Sequence, residues 1–272
     1  MPASAAEKKA LARARAGQTP LRSAEQVLAE ANLRMPIRVT TADEPIELMF
    51  ASRGNDSPPW NSGGYWEARR NGQLRHACTT GFGIRYLNRT WVLTSAHCAS
   101  PGDVAYQGMG GDSELMGPVT QEHYQQDLIL IDAPGFYRMF DNPQPPDGHP
   151  YKNVYGSGGP VANELLCQSS AASGVVCNLR TGSSQNITIS SADPDSDGDF
   201  GYTIFGVFNA TQINGQIAVR HGDSGGPVFT LLGDGVRAKG IVTGGAGGGS
   251  TMYYQDWPTV SSFYSGAVPV TP

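Results

Sequence analysis

The sequence is short of charge and has no long apolar run, and each shortage removes a class of protein. Charged residues make up 16% of the 272 positions, against about 25% in an ordinary globular chain. A helical bundle with a solvated, ion-paired surface is a poor fit to that figure. No stretch approaches the roughly 18 consecutive apolar residues of a spanning helix, so no membrane partner is expected. Lys and Arg form no block and the net charge is −5, which leaves no electrostatic footprint for nucleic acid. The four cysteines contain no C-x-x-C spacing, so neither a zinc ribbon nor a thioredoxin-type motif is available. Residues 1–30 also lack the apolar core of a signal peptide.

What is abundant points to β structure. With 35 glycines and 11 tyrosines, the composition suits strands joined by tight turns. The length suits one large domain or two small ones. The first 40 residues stand apart: seven Lys/Arg against three Asp/Glu give +4, leaving −9 of the total of −5 for the rest. Residues 3–16 and 23–32 are rich in helix formers, and Ser23 with Gln26 reads as a capping box. Residues 36–52 alternate loosely like a strand, and 54–59 read as a linker. A partly helical N-terminal extension, residues 1–58, a candidate pro-segment separable by a maturation cut, is therefore expected ahead of a domain over 59–272. In that domain, 81–86 and 90–95 read as a hairpin. Further strand-like runs at 128–131, 174–179, 187–190, 202–208, 227–232 and 240–243 indicate an all-β sandwich or barrel.

The sharpest motif is Gly222-Asp223-Ser224-Gly225-Gly226-Pro227. Glycines around a serine let the backbone turn sharply and free N–H groups to face a reacting oxygen. A serine hydroxyl is a weak nucleophile until an imidazole takes its proton, and the imidazole needs a carboxylate to fix its tautomer. G-x-S-x-G also fits the nucleophile elbow of α/β-hydrolases, whose base follows the serine. All five histidines, His76, His97, His123, His149 and His221, precede Ser224, which excludes that order. His97 in Thr94-Ser95-Ala96-His97-Cys98 is the candidate base. Asp127, opening Asp127-Leu128-Ile129-Leu130-Ile131, is the candidate orienting acid, with Asp132 and Asp112 as alternatives. The pairs Cys78 with Cys98 and Cys167 with Cys177 would be ordinary disulfides of an exported protein, and four free thiols of a cytosolic one are the alternative.

His in T-S-A-H-C, Asp before an apolar strand and Ser in G-D-S-G-G-P, in that order, resemble a chymotrypsin-like serine protease. Cys167 to Cys177 resembles the disulfide loop of its bacterial streptogrisin and α-lytic branch, and Gly240 to Gly245 resembles that branch's specificity-wall strand. The likeness covers roughly Trp60 to the C-terminus. It implies two antiparallel six-stranded β-barrels with the site between them, and catalysis by His97, Asp127 and Ser224. It also implies an oxyanion hole of Gly222 and Ser224, and a threonine, Thr243, in place of a serine supporting the aspartate. Thr243, Gly244 and Gly245 would bind an extended peptide by β-addition, and Ala218 and Val219 would form the pocket base. No carboxylate stands there, so uncharged apolar side chains are expected, with Phe, Tyr, Leu or Met leading because the two glycines leave the mouth open.

Three departures from the branch stand out. The pocket lacks the cysteine bridge that the branch often carries. Gln168 replaces the arginine that often pairs with the aspartate before the nucleophile, leaving Arg220 as the candidate partner of Asp223. Asn61-Ser62-Gly63-Gly64 resembles the I-x-G-G start of mature enzymes, with asparagine where isoleucine would insert.

The expected function is a secreted serine endopeptidase acting on protein or peptide substrates as a monomer, without metal or other cofactor. The competing reading is a secreted effector or binding protein on a protease fold with an idle triad; a narrow esterase is a third. The acidic run Asp193–Asp199 resembles half of a calcium loop, but Ile204 stands where the closing glutamate belongs. His76 and His97 beside Cys78 and Cys98 imitate a zinc cluster with no standard spacing.

Overall fold

The computed structural model describes residues 51–108, 113–141, 151–188 and 202–272. They lie within one compact unit, Leu48–Pro272. Most of the expected extension, Asp112, His149 and the Asp193–Asp199 run fall outside the described residues. In chain order the unit holds helix α1 (Ala51–Gly54) and strands β1 (Trp60–Ser62), β2 (Tyr65–Arg70), β3 (Gln73–Thr79), β4 (Gly83–Tyr86), β5 (Arg89–Thr94), β6 (Val104–Gln107), β7 (Glu114–His123) and β8 (Leu128–Ile131). It continues with β9 (Gly135–Phe140), β10 (Tyr151–Ser157), β11 (Leu165–Ser170), β12 (Gly174–Thr188), β13 (Thr203–Gln212), β14 (Pro227–Leu232), β15 (Gly235–Ala246) and β16 (Thr251–Asp256). Helix α2 (Trp257–Phe263) and β17 (Val268–Pro269) end the chain.

The strands form two sheets, and both differ from the expected pair of six-stranded barrels. One is eight-stranded in the order β17-β4-β5-β8-β7-β6-β2-β3, with its two end strands unpaired to each other. The other is nine-stranded, β1-β9-β10-β15-β14-β11-β12-β13-β16, and β16 pairs back on β15 so that six of its strands form a ring. Two pairings, β1 with β9 and β10 with β15, are parallel.

Local chemistry explains the best-read elements. The β4–β5 hairpin turns on Leu87 and Asn88, both at positive φ (48° and 61°), the backbone that a tight two-residue hairpin turn requires. All four residues of β8 are buried. Ile129 and Ile131 face a cluster with Trp66, Val92 and Val119, while Leu128 and Leu130 face one with Phe82, Phe229 and Ile241. Covered on both faces, the strand reads as a continuous apolar run. A third cluster, including Val228, Val242 and Met252, fills the ring of the nine-stranded sheet. Helix α2 is capped by the Asp256 carboxylate, which accepts from Thr259 N–H, and has Pro in its first turn, both helix-starting devices. It seals the middle cluster with Trp257 and Val260.

Most of the strand expected over 36–52 lies outside the described residues, and the linker expected over 54–59 is held in place. Residues 51–54 are a helical turn, and the following stretch is bound to the sheets. Asp56 is buried, and its carboxylate accepts from both the backbone and the side-chain amide of Asn61 at 2.8 Å. Trp60 donates its N–H to Pro134 O at 2.8 Å. These bonds hold the stretch just ahead of β1 against the sheets.

Candidate active site

His97 stands in a single 3₁₀ turn, Ala96–Cys98, directly after β5. The disulfide Cys78–Cys98 ties that turn to β3, and Ser95 Oγ donates to Val242 O at 2.7 Å, tying it to the other sheet. Asp127 ends a second 3₁₀ turn, Tyr124–Gln126, in the left-handed conformation at φ 55°. Its carboxylate is fully buried and accepts from the His97 backbone N–H at 2.9 Å; it also lies 2.9 and 3.0 Å from Nδ1. A carboxylate so placed holds the proton on Nδ1 and makes Nε2 the accepting nitrogen. Asp132 is turned away and paired with Arg89. Asp127 is therefore the acid brought to His97.

The Ser224 loop is held by its backbone. Ser224 O accepts from Thr79 N at 2.9 Å, Gly225 N donates to Val242 O at 2.8 Å and Gly226 N to Asp223 O at 2.9 Å. Gly222 and Gly225 sit at φ 92° and 83°. At Gly225 a Cβ would lie 2.1 Å from Thr94 Oγ1 and 3.1 Å from Ser95 N. Only glycine allows that approach, and it seats the serine loop on the segment carrying His97. Among the described residues, the N–H groups of Gly222 and Ser224 are given to no backbone carbonyl. Thr79 is a residue that the sequence did not single out. Its hydroxyl donates to Gly222 O at 2.6 Å and accepts from Ala171 N at 3.0 Å. No local pattern marks a threonine for that task.

Asp223 has a different partner set from the one expected. Its carboxylate accepts from Ser173 N and Oγ at 2.9 and 2.5 Å and from the backbone N–H of Arg220 at 2.7 Å. The Arg220 guanidinium reaches Ser173 Oγ at 3.1 Å. Burial raises the Asp223 carboxyl above its ordinary range despite these donors.

The Thr243–Gly245 strand and the segment at Ala218 and Val219 lie side by side. Thr243 Oγ1 is buried and makes no hydrogen bond among the described residues, Asp127 included. Ala218 and Val219 are 0% and 5% exposed and belong to the apolar cluster of the nine-stranded sheet. Val219 Cγ1 lies 2.3 Å from where a Cβ on Gly245 would stand, whereas Gly244 faces open space. Val219 thus stands against Gly245, one of the two glycines expected to leave the pocket mouth open. Past Ile241, β15 keeps its pairing to β16 but loses β14, leaving one side of the Thr243–Gly245 backbone without a strand neighbour.

Both cysteine pairs are joined, Cys78–Cys98 and Cys167–Cys177. The grouping of His97 with Cys78 and Cys98 therefore offers one ring nitrogen and no thiolate. His221 is exposed. His123 packs on the rings of Phe263 and Tyr264, away from Asp127 and Ser224 in role.

The chain matches no protein-family model and no curated protein sequence. Its structure is similar to several solved ones. Thermobifida fusca protease A is 23% identical with a TM-score of 0.57, covering 78% of this chain and 98% of that one. Nocardiopsis protease is 19% identical with a TM-score of 0.56 and the chymotrypsin of Cellulomonas bogoriensis 19% with 0.55, each over 78% of this chain and 98% of the other. The fold is that of the bacterial chymotrypsin-like serine proteases. The resemblance read from the motifs holds at that level.

Proposed function

We propose that the chain is a secreted serine endopeptidase that cleaves peptides through an acyl-enzyme on Ser224. Ser224 Oγ attacks the carbonyl carbon while His97 Nε2 takes its proton. His97 then returns that proton to the leaving amine, and water repeats the cycle to release the acid. Asp127 orients His97 and stabilises the imidazolium. The uncommitted N–H groups of Gly222 and Ser224 receive the oxyanion. The observation that carries the reading is the buried Asp127 carboxylate closed on both the backbone N–H and Nδ1 of His97. A merely structural aspartate has no need to set the tautomer of a half-exposed imidazole.

Peptide is the substrate class because the Thr243–Gly245 backbone has one unpaired side, the feature an extended chain can join as a strand. An ester needs no such edge. The residue before the cleaved bond is small and uncharged, since Val219 occupies the slot against Gly245. Two disulfides, of the kind that persist in oxidising compartments, support secretion. The test is labelling of purified protein by a fluorophosphonate and sequencing of the labelled peptide. Label is expected on Ser224 alone, lost in His97→Ala. Ser224→Ala should lower peptide turnover by roughly 10⁴ or more with binding largely retained. Label on another serine would overturn the assignment.

A further inference from the structure

Arg53 lies in the stretch that the sequence assigns to a separable extension, yet it is among the most heavily bonded side chains near the serine loop. Nη1 donates to Gly63 O at 2.8 Å and Ser170 O at 3.3 Å. Nη2 donates to Phe140 O at 3.2 Å, Asp141 O at 3.1 Å and Ser169 Oγ at 2.8 Å. The guanidinium also lies 5.5 Å from the centre of the Phe140 ring. One planar cation thus ties together the turn after β1, the end of β9 and the end of β11. Its own backbone is held too, with Arg53 O accepting from Gln107 Nε2 at 3.2 Å. A Cβ at Gly63 would lie 2.9 Å from Nη1, so glycine there leaves room for the arginine.

The end of β11 leads directly to the nucleophile. Ser170, whose carbonyl Arg53 holds, donates its hydroxyl to Gln168 Oε1 and to Asp223 O. A Cβ on Gly226 would lie 2.1 Å from that hydroxyl, so Ser170 is in close contact with the loop on both sides of Ser224. A rigid donor array that bonds Ser169 and Ser170 constrains the strand on which the loop rests.

We propose that Arg53 is a positioning residue for the Ser224 loop, so that the catalytic unit includes residues 53–56 and any maturation cut falls ahead of Arg53. Resting on the serine endopeptidase reading of Ser224, it adds a dependence of that site on the segment before β1. Removing the chain up to Trp60 would take away the five donor contacts of Arg53 and the Asp56 clamp on Asn61 together.

The experiment uses the full chain with Arg53→Ala and Arg53→Lys. Two readouts are taken: the rate of fluorophosphonate labelling, and amide hydrogen exchange over peptides covering Arg220 to Gly226. Arg53→Ala should slow labelling and lower kcat by about tenfold or more with little change in KM. That is a partial version of the roughly 10²–10³ lost with one oxyanion donor. Exchange over Arg220 to Gly226 should accelerate while the β4–β5 hairpin keeps its protection, a split that general destabilisation would not produce. Added guanidinium at non-denaturing concentration should restore part of the labelling rate. If Arg53→Ala does not fold, the same readouts on Arg53→Lys decide, with a smaller loss of rate and a smaller gain in exchange expected. Folded variants with wild-type labelling and wild-type exchange would overturn the proposal while leaving Ser224 as nucleophile. Failure of the wild-type protein to label at Ser224 would instead overturn the enzymatic reading, and the exchange data would then decide the positioning role alone.

Discussion

Val219→Ala should widen the range of residues accepted before the cleaved bond, from small ones to larger ones. The two γ-carbons of Val219 are what stand between the 218–220 segment and Gly245, one of them 2.3 Å from the position a Cβ on Gly245 would take. Removing both leaves room for about two methylene groups of substrate. At about 0.8 kcal/mol per buried methylene, that is about 1.6 kcal/mol. It equals about a fifteenfold rise in the kcat/KM ratio of a leucine over an alanine substrate. The same deletion leaves a cavity in a cluster shared with Val242 and Met252, so a stability loss of about 1–3 kcal/mol accompanies it.

The assay is a set of tetrapeptide p-nitroanilides differing only at the residue before the cleaved bond, with Ala, Val, Leu, Phe and Lys compared. The wild-type protein should rank Ala and Val ahead of Leu and Phe. Lys should be refused by both proteins, since Ala218 and Val219 bring no carboxylate to the pocket base and an unpaired buried ammonium is costly. Phe hydrolysed as fast as Ala by the wild-type protein would refute the plug. So would a folded Val219→Ala protein with an unchanged Leu-to-Ala ratio.

Asp256 is raised above its ordinary carboxylate range by burial. It therefore contributes stability that is fully present below the ordinary value and lost as pH rises through the folded one. Asp256→Asn keeps the helix cap and removes the titration, so wild-type Tm should gain on the variant as pH falls from 7 to 4; a constant difference would refute this. Replacing Cys78 and Cys98 by serine opens a loop of sequence separation 20 and should cost about 3 kcal/mol in urea unfolding. Because that disulfide also pins the His97 turn, turnover of the folded double variant should fall as well. Unaltered turnover would show that β5 and the Ser95 hydroxyl hold His97 unaided.

The residues most legible in the sequence are those whose local chemistry is demanding. Gly225 tolerates no Cβ, β8 is apolar on both faces, and the β4–β5 turn needs two residues at positive φ; each leaves a short, readable string. The choice of Asp127 over Asp132 was legible for the same reason, since the one enters a buried strand and the other leads into Ala133-Pro134. Thr79, Ser173 and Arg53 act through contacts remote in the chain, Arg53 to Ser170 being a sequence separation of 117. Such contacts impose no period and no neighbouring residue type, so nothing local reports them. The pocket is subject to the same limit. Two glycines in one strand say that room exists, but whether it stays empty depends on a valine brought in from another segment.

Asp223 and Arg53 show why the two ends of the domain have to be considered together. In a buried loop a carboxylate is costly unless every lone pair finds a donor, and Asp223 meets that need locally, through Ser173 and the Arg220 backbone. Gln168 stands where an arginine would otherwise have served, and it can do so because the charge is satisfied without it. The mechanical task, holding the end of β11 against the loop, then falls to a cation from outside the loop. Arg53 performs it through carbonyls and one hydroxyl rather than through Asp223 itself, and burial lowers its own pKa to about 10. It stays charged throughout the neutral range, so the hold does not change with pH there. Two arginines thus serve the loop, Arg220 beside the carboxylate and Arg53 beneath the strand, and the Asp223 charge acts on both.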